Sequence, residues 1–99
     1  MTDPVSAEPE LDPRRRRTLY RARHRGMREM DIIVGGFAEA RIAHFDEAEL
    51  AAFEALLEVA DDEMFGWLAG RTTVRPECDG PMWREIVAFK AAGGAVIPR

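Results

Sequence analysis

Apolar side chains recur along this chain at three- and four-residue steps, the spacing that puts them on one face of a helix. Met27, Met30, Val34, Phe37 and Ala38 form one such stripe and predict a helix from about Met27 to Arg41. Leu50, Phe53, Leu56 and Leu57 form another, opened by Asp46 as N-cap with Glu49 three residues on, the pattern of a capping box. A short helix follows, capped by Asp61 or Asp62, turning Phe65 and Leu68 inward and closed by Gly70. Pro81 opens a last helix with the stripe Trp83, Ile86, Val87 and Lys90, after a loop over 71–80. Upstream, Asp12-Pro13 reads as a helix start, and the helix it opens should run to about Arg25. Its apolar face is thin, chiefly Leu19 and Ala22 with Tyr20 beside them, so arginine stems must cover part of the core.

No segment alternates with a two-residue period over any length. The expectation is therefore all-α, a compact bundle of about five short helices in a single domain over 13–91. Residues 1–12 read as a disordered acidic and proline-rich tail, and 92–99 as a flexible C-terminal tail. Gly35-Gly36 lies inside the Met27–Ala38 stripe. Each glycine costs about 1 kcal/mol relative to alanine in a helix, so the pair marks either a close helix contact or a weak point.

Size and charge narrow the function. Ninety-nine residues make one domain, and 46% hydrophobic content allows one core. No run of about 18 apolar residues is present to span a membrane. The acidic N-terminal stretch resembles neither a secretory signal nor a transit peptide. With Cys78 as the lone cysteine, no internal disulfide can form, and a reducing compartment, the bacterial cytoplasm, is expected. Cys78 reads as an inert thiol. Residues 14–28 hold eight arginines, and residues 46–63 hold eight acids and no base. That division predicts an electrically two-faced molecule.

Catalytic chemistry finds little footing. His24 and His44 are the two histidines, and His24 with Glu29 and Asp31 matches no metal-ligand spacing. No phosphate loop or Ser-His-Asp arrangement stands out, and the acids of 46–63 fall at helix starts and solvated faces. The arginine run suits phosphates, but Glu29 and Asp31 border it, the net charge is −4, and no aromatic interleaving accompanies it.

What remains is the octet His24-Arg25-Gly26-Met27-Arg28-Glu29-Met30-Asp31. Part of it is a corner between helices. Gly26 can take the left-handed conformation that ends the first helix. Arg23, His24 and Arg25 suit the negative end of that helix, and Glu29 can reach back to an unpaired amide at the start of the next. A corner does not need Arg25, Arg28, Glu29 and Asp31 together, and a bare glycine leaves room for another backbone to approach.

These residues resemble the succinate dehydrogenase assembly factor 2 family, known in bacteria as the SdhE family of FAD assembly factors. The family motif R-G-x-x-E, often R-G-M-x-E-x-D, is present as Arg25, Gly26 and Glu29, with Met27 and Asp31 in the flanking places. A second block, FEALLEVADDEMFGWLAGR, is similar to the family's leucine-rich helix, acidic turn and Phe-x-Trp-Leu helix, here Leu56, Leu57, Asp61, Phe65, Trp67 and Leu68. The upstream YRARHRG also looks familial. The likeness covers about 14–90; the N-terminal tail and Cys78 lie outside it.

The resemblance implies a five-helix protein that is not itself an oxidoreductase. It implies binding to the flavoprotein subunit of succinate dehydrogenase, or of fumarate reductase, and promotion of covalent FAD attachment to a histidine of that client. The FAD is the client's, and no cofactor or metal of its own is expected. Arg25, Gly26 and Glu29 are the implied partner-binding surface, with Met27 and Asp31 alongside and His24 and Arg28 completing the set. Within it Arg25 is expected to pair with a client carboxylate or carbonyl. Glu29 would meet a client base or brace Arg25, and Asp31 would add an acceptor. The free protein is expected to be monomeric, without membrane insertion or nucleic-acid binding. Two other readings stay open: a helical adaptor for a different protein through the same corner, and an arginine-rich nucleic-acid module.

Overall fold

In the computed structural model, which describes residues 10–94, five α-helices follow one another with short connections. They are α1 (Pro13–Arg23), α2 (Arg28–Arg41), α3 (Glu47–Leu56), α4 (Asp61–Leu68) and α5 (Pro81–Ala91). Single 3-10 turns sit at Ile42–His44 and Pro76–Cys78, the second inside the expected loop. No strand occurs among the described residues, and the all-α bundle is as expected.

Local chemistry sets most of the helix ends. Asp12 caps α1 by accepting from the Arg15 amide at 2.8 Å, with Pro13 at the first helical position. At α3, Asp46 accepts from the Glu49 amide and Glu49 returns the bond to the Asp46 amide, both at 2.8 Å. Each bond satisfies an amide that lacks a helical partner. Gly70 has φ 75° after α4, and the Arg71 amide folds back onto the Gly66 carbonyl at 2.9 Å.

Other ends move from their expected places. α1 stops at Arg23 and α2 starts at Arg28, so the corner takes four residues rather than a single glycine. The N-cap of α4 is Ala60, not Asp61 or Asp62, because the Asp61 carboxylate is engaged elsewhere. The expected disordered tail does not extend to residue 12: Leu11 is buried in the core and Asp12 is the cap. Residues 1–9 and 95–99 lie outside the described residues.

The core gathers around α2, which buries Met30, Ile33, Val34, Phe37 and Ala38, with Met27 half-buried at its start. Phe37 lies 5.8 Å from Phe53, 6.1 Å from Phe45 and 5.6 Å from Phe89, so one ring ties α2 to α3 and α5. Trp67 meets Trp83 edge to face at 5.4 Å, joining α4 to α5. That contact sets the phase of α4: Met64 and Trp67 are buried, while Phe65 and Leu68, expected inside, are half-exposed. On α5 the buried side is Met82, Trp83 and Ile86. Val87 and Lys90, expected in that stripe, are exposed and line a groove together with Trp67 and Leu68 of α4.

The paired glycines prove to be a close contact in an unbroken helix. A methyl group added at Gly35 would lie 3.2 Å from the Arg23 Cα and 3.3 Å from the Ala22 carbonyl oxygen. At Gly36 the nearest atom would be Phe89, at an ordinary 3.7 Å. Gly35 thus lets α1 and α2 touch backbone to backbone.

The arginines of α1 do not form one electrical face, as the sequence suggested. They fold onto the acids. Arg14 grips Glu54 with two bonds, 2.7 and 3.0 Å, and reaches Glu47 at 2.7 Å. Arg21 meets Glu58 at 2.6 Å, Arg23 meets Glu39 at 2.7 Å, and Arg15 donates to the Ile42 and Phe45 carbonyls. The thin apolar face of α1 is thus supplemented by bidentate, charge-assisted bonds. Every buried side-chain nitrogen or oxygen among the described residues has a partner.

Two outcomes follow. Gly35→Leu should lower stability to urea by about 2 kcal/mol through overpacking, whereas Gly36→Ala should raise it by up to about 1 kcal/mol through helix propensity. The Arg14 guanidinium, aided by the Thr18 hydroxyl, holds the Glu54 carboxyl below its ordinary value of 4.5. Its contribution is therefore complete above that pH and is lost as the pH falls through the lowered folded value. In urea titrations Glu54→Gln should be less stable than the wild type at neutral pH, with the gap closing below pH 4.5.

Candidate functional site

The four-residue corner between α1 and α2 sorts its side chains into those that hold the bend and those that leave it. Arg25 belongs to the first group. Its guanidinium, with the side chain only 7% exposed, turns inward to the bend between α3 and α4. Nε pairs with the Asp61 carboxylate, Nη1 donates to the Leu57 carbonyl at 3.1 Å, and Nη2 donates to the Val59 carbonyl. Those carbonyls lie in the turn that follows α3, beyond its last residue Leu56. Asp61 opens α4, where a carboxylate suits the positive helix end. One cation thus serves the exit of one helix and the entry of the next. Arg25, expected to reach outward to a partner's carboxylate or carbonyl, spends its donors inside the molecule.

Asp31 also faces inward. From the first turn of α2 it accepts from the Arg25 amide at 2.5 Å, while its own amide bonds the Met27 carbonyl at 2.9 Å. This is the backward reach expected of Glu29. Asp31 performs it because the chain leaves α1 early, which brings the Arg25 amide, not the amide at the start of α2, over the Asp31 side chain.

The second group stays in solvent. Gly26 has φ 100°, a conformation that other residues adopt only with strain, and nothing lies within 4 Å of where its Cβ would be. Arg28 and Glu29 are exposed and make no hydrogen bond or ion pair among the described residues. Glu29 suits the start of α2. Arg28 does not: a cation in the first turn opposes the helix dipole and costs about 0.3–1 kcal/mol. Its presence there is not explained by the fold.

His24 caps α1 and is exposed. Its Nδ1 lies 2.8 Å from the Tyr20 carbonyl oxygen, so that nitrogen carries the proton and Nε2 is left to solvent. The ring stacks on Tyr20, centroids 3.9 Å apart at 20°. Met27 is half-buried against the core. The structure thus brings all seven residues singled out in the sequence into one bend and divides their duties. Sequence reasoning missed Tyr20, Asp61 and the carbonyls of Leu57 and Val59 as parts of it. The matched numbers of arginines in 14–28 and acids in 46–63 were the available signal for such pairing.

No group of three His, Cys, Asp or Glu side chains placed to hold a metal occurs among the described residues. Nor, among them, is any helix long and apolar enough to cross a membrane.

Comparison with known proteins converges on one family. The sequence model of Sdh5, flavinator of succinate dehydrogenase, matches residues 16–90. The chain is 44% identical over 81 residues to the FAD assembly factor SdhE of Acetobacter pasteurianus, covering 82% of this chain and 74% of that protein. It is 32% identical to the mitochondrial succinate dehydrogenase assembly factor 2 of Dictyostelium discoideum over 69% of this chain and 48% of the relative. For the Scheffersomyces stipitis protein of the same name the identity is 31%, over 88% and 58%. The chain thus spans about three quarters of the bacterial relative and about half of these mitochondrial ones. No solved structure gives a significant match.

The division of labour at the corner has a direct test. Arg25→Ala should cost about 3 kcal/mol of stability by stranding Asp61 and two carbonyls. Arg25→Lys should recover only part, since one ammonium cannot reproduce the fork. Arg28→Glu should instead raise stability by roughly 0.5 kcal/mol. Urea denaturation of the three variants reads all of these differences.

Proposed function

The chain belongs to the Sdh5 family, and from that membership and the corner geometry we propose that it is an assembly factor for succinate dehydrogenase. It binds the flavoprotein subunit, or that of fumarate reductase, and promotes covalent attachment of FAD to a client histidine. The flavin and the histidine are both the client's. This chain is not itself an enzyme: it holds no flavin of its own and supplies no acid, base or nucleophile. It acts as a monomer in the cytoplasm.

The observation that carries this reading is the exposed trio Gly26, Arg28 and Glu29 on a braced bend. An open glycine lets a client backbone approach, and an unpaired cation and anion beside it offer both signs of charge. Arg25 and Asp31 act through the others, as positioning residues that keep the bend rigid. Met27 seats it on the core and His24 flanks it. Rigidity is what such a task requires. Holding a client's reacting groups in a productive arrangement can remove about 7–11 kcal/mol of barrier, and a loose surface cannot do so.

Two variants test it, each co-expressed with the flavoprotein subunit and scored by covalent flavin fluorescence in a denaturing gel. Glu29→Ala should leave the unfolding midpoint nearly unchanged yet reduce flavinylation about tenfold or more, as loss of an interface hot spot does. Gly26→Arg should cost about 1–2 kcal/mol from the positive φ and remain folded, but fail to bind the client. Normal flavinylation by both variants would refute the reading.

A further inference from the structure

The corner reading uses the first sequence block and leaves the second without a role. The second block holds the acidic turn Ala60-Asp61-Asp62 and the short helix α4. Asp61, Asp62 and Glu63 all occupy the first turn of α4, where carboxylates suit the positive helix end. They are not equivalent. Asp62 is exposed and accepts from the Glu63 amide at 2.9 Å. Glu63 is held by Arg75 with two bonds, 2.7 and 2.8 Å. Asp61, its side chain 19% exposed, pairs instead with Arg25, 36 residues away along the chain.

The place of Asp61 is determined from the far side of α4. Trp67 meets Trp83 of α5 edge to face, and the Arg75 guanidinium lies over the Trp67 ring at 5.8 Å while it holds Glu63. Contacts on α5 and on the loop before it therefore fix both the rotation of α4 and its first turn. The Asp61 carboxylate stands at a set point, and the Arg25 side chain comes to it. Of the three Arg25 acceptors, Asp61 alone carries charge. The Leu57 and Val59 carbonyls are dipoles and cannot neutralise a guanidinium whose side chain is only 7% exposed. Without the carboxylate that cation is better placed in water, since a sheltered charge with no counter-ion is costly. Its departure would take the brace out of the corner.

Resting on the corner reading above, we infer that Asp61 is a positioning residue for client flavinylation. It touches neither client nor flavin and acts through Arg25. By neutralising that cation it draws the guanidinium inward, holds the bend at Gly26, and leaves Arg28 and Glu29 as the charges presented beside the glycine. Helix α4 is then a strut under the docking corner. The two sequence blocks form one device: the first supplies the surface and the second sets its position.

The test compares Asp61→Asn, Asp61→Glu and Asp62→Asn in the full chain, alone and combined with the stabilising Gly36→Ala. The flavinylation rate of the flavoprotein subunit is followed against concentration of this chain, with circular dichroism to confirm that each variant is folded at the assay temperature. Asp61→Asn should lower the plateau rate about tenfold or more, the cost of misplaced reacting groups. Adding Gly36→Ala should raise its unfolding midpoint without restoring the rate, and this double variant carries the comparison if the single one does not fold. Asp62→Asn removes the same charge from the same helix end and should keep the wild-type rate. Asp61→Glu keeps the charge and should recover most of the rate. A wild-type plateau for Asp61→Asn would overturn the inference. So would a loss that Gly36→Ala repairs or that Asp62→Asn shares, since either marks an acid that serves stability alone. In those cases the corner reading stands as long as Glu29→Ala still fails. Normal flavinylation by both Glu29→Ala and Gly26→Arg strikes the corner reading itself, and this inference with it.

Discussion

One guanidinium couples two bends of the chain that lie 36 residues apart. Arg25 leaves the α1–α2 corner and ends on three acceptors of the α3–α4 corner: the Asp61 carboxylate and the carbonyls of Leu57 and Val59 in the connecting turn. Neither bend can shift alone without stranding a charge or an acceptor in a largely desolvated place, which costs more than the bond itself contributes. Asp31 adds a bond to the Arg25 amide and fixes the backbone from which the side chain departs. The exposed residues of the corner inherit their placement from this brace.

The same logic extends along α1. A helix with only Leu19, Ala22 and Thr18 buried has little apolar surface with which to hold its place. Arg14 and Arg21 supply the remainder by meeting Glu54, Glu47 and Glu58 on or just after α3, in ascending order along both helices. Exposed pairs of this kind contribute little individually. The Arg14–Glu54 pair is bidentate and partly sheltered, and it is joined by the Thr18 hydroxyl, so it is the member with the most to contribute. Gly35 completes the arrangement from the other side by admitting the α1 backbone against α2. Apolar packing dominates the centre of the bundle, and polar bonds register α1 upon it.

Once these pairings are made, what is left over is informative. Gly26, Arg28 and Glu29 remain at the corner, with Tyr20 and His24 along the helix before it. Arg28 stands against the dipole of its own helix, Gly26 holds a conformation that forbids ordinary side chains, and Tyr20 stacks on His24 while largely exposed. Each is a departure from what stability alone would select. A surface that is braced beneath and uncommitted above suits the docking role proposed for this chain.

The repeating apolar steps determined that this chain is built of helices, each with one face to bury, because a 3.6-residue period places its apolar side chains on a single side. Caps at Asp12, Asp46 and Gly70 were legible too, since each depends on atoms within a few residues of itself. The R-G-x-x-E motif marked the corner as the place of interest. What the sequence left undetermined was every partner distant along the chain. Nothing local says that Arg25 turns inward, that Asp31 rather than Glu29 braces the bend, or that Trp67 meets Trp83 and thereby rotates Phe65 and Leu68 partly into solvent. The expectation of two opposed electrical faces failed for the same reason. Charge can be counted along a sequence, but whether opposite charges face apart or close upon each other is decided by how helices cross, and that depends on the whole core at once.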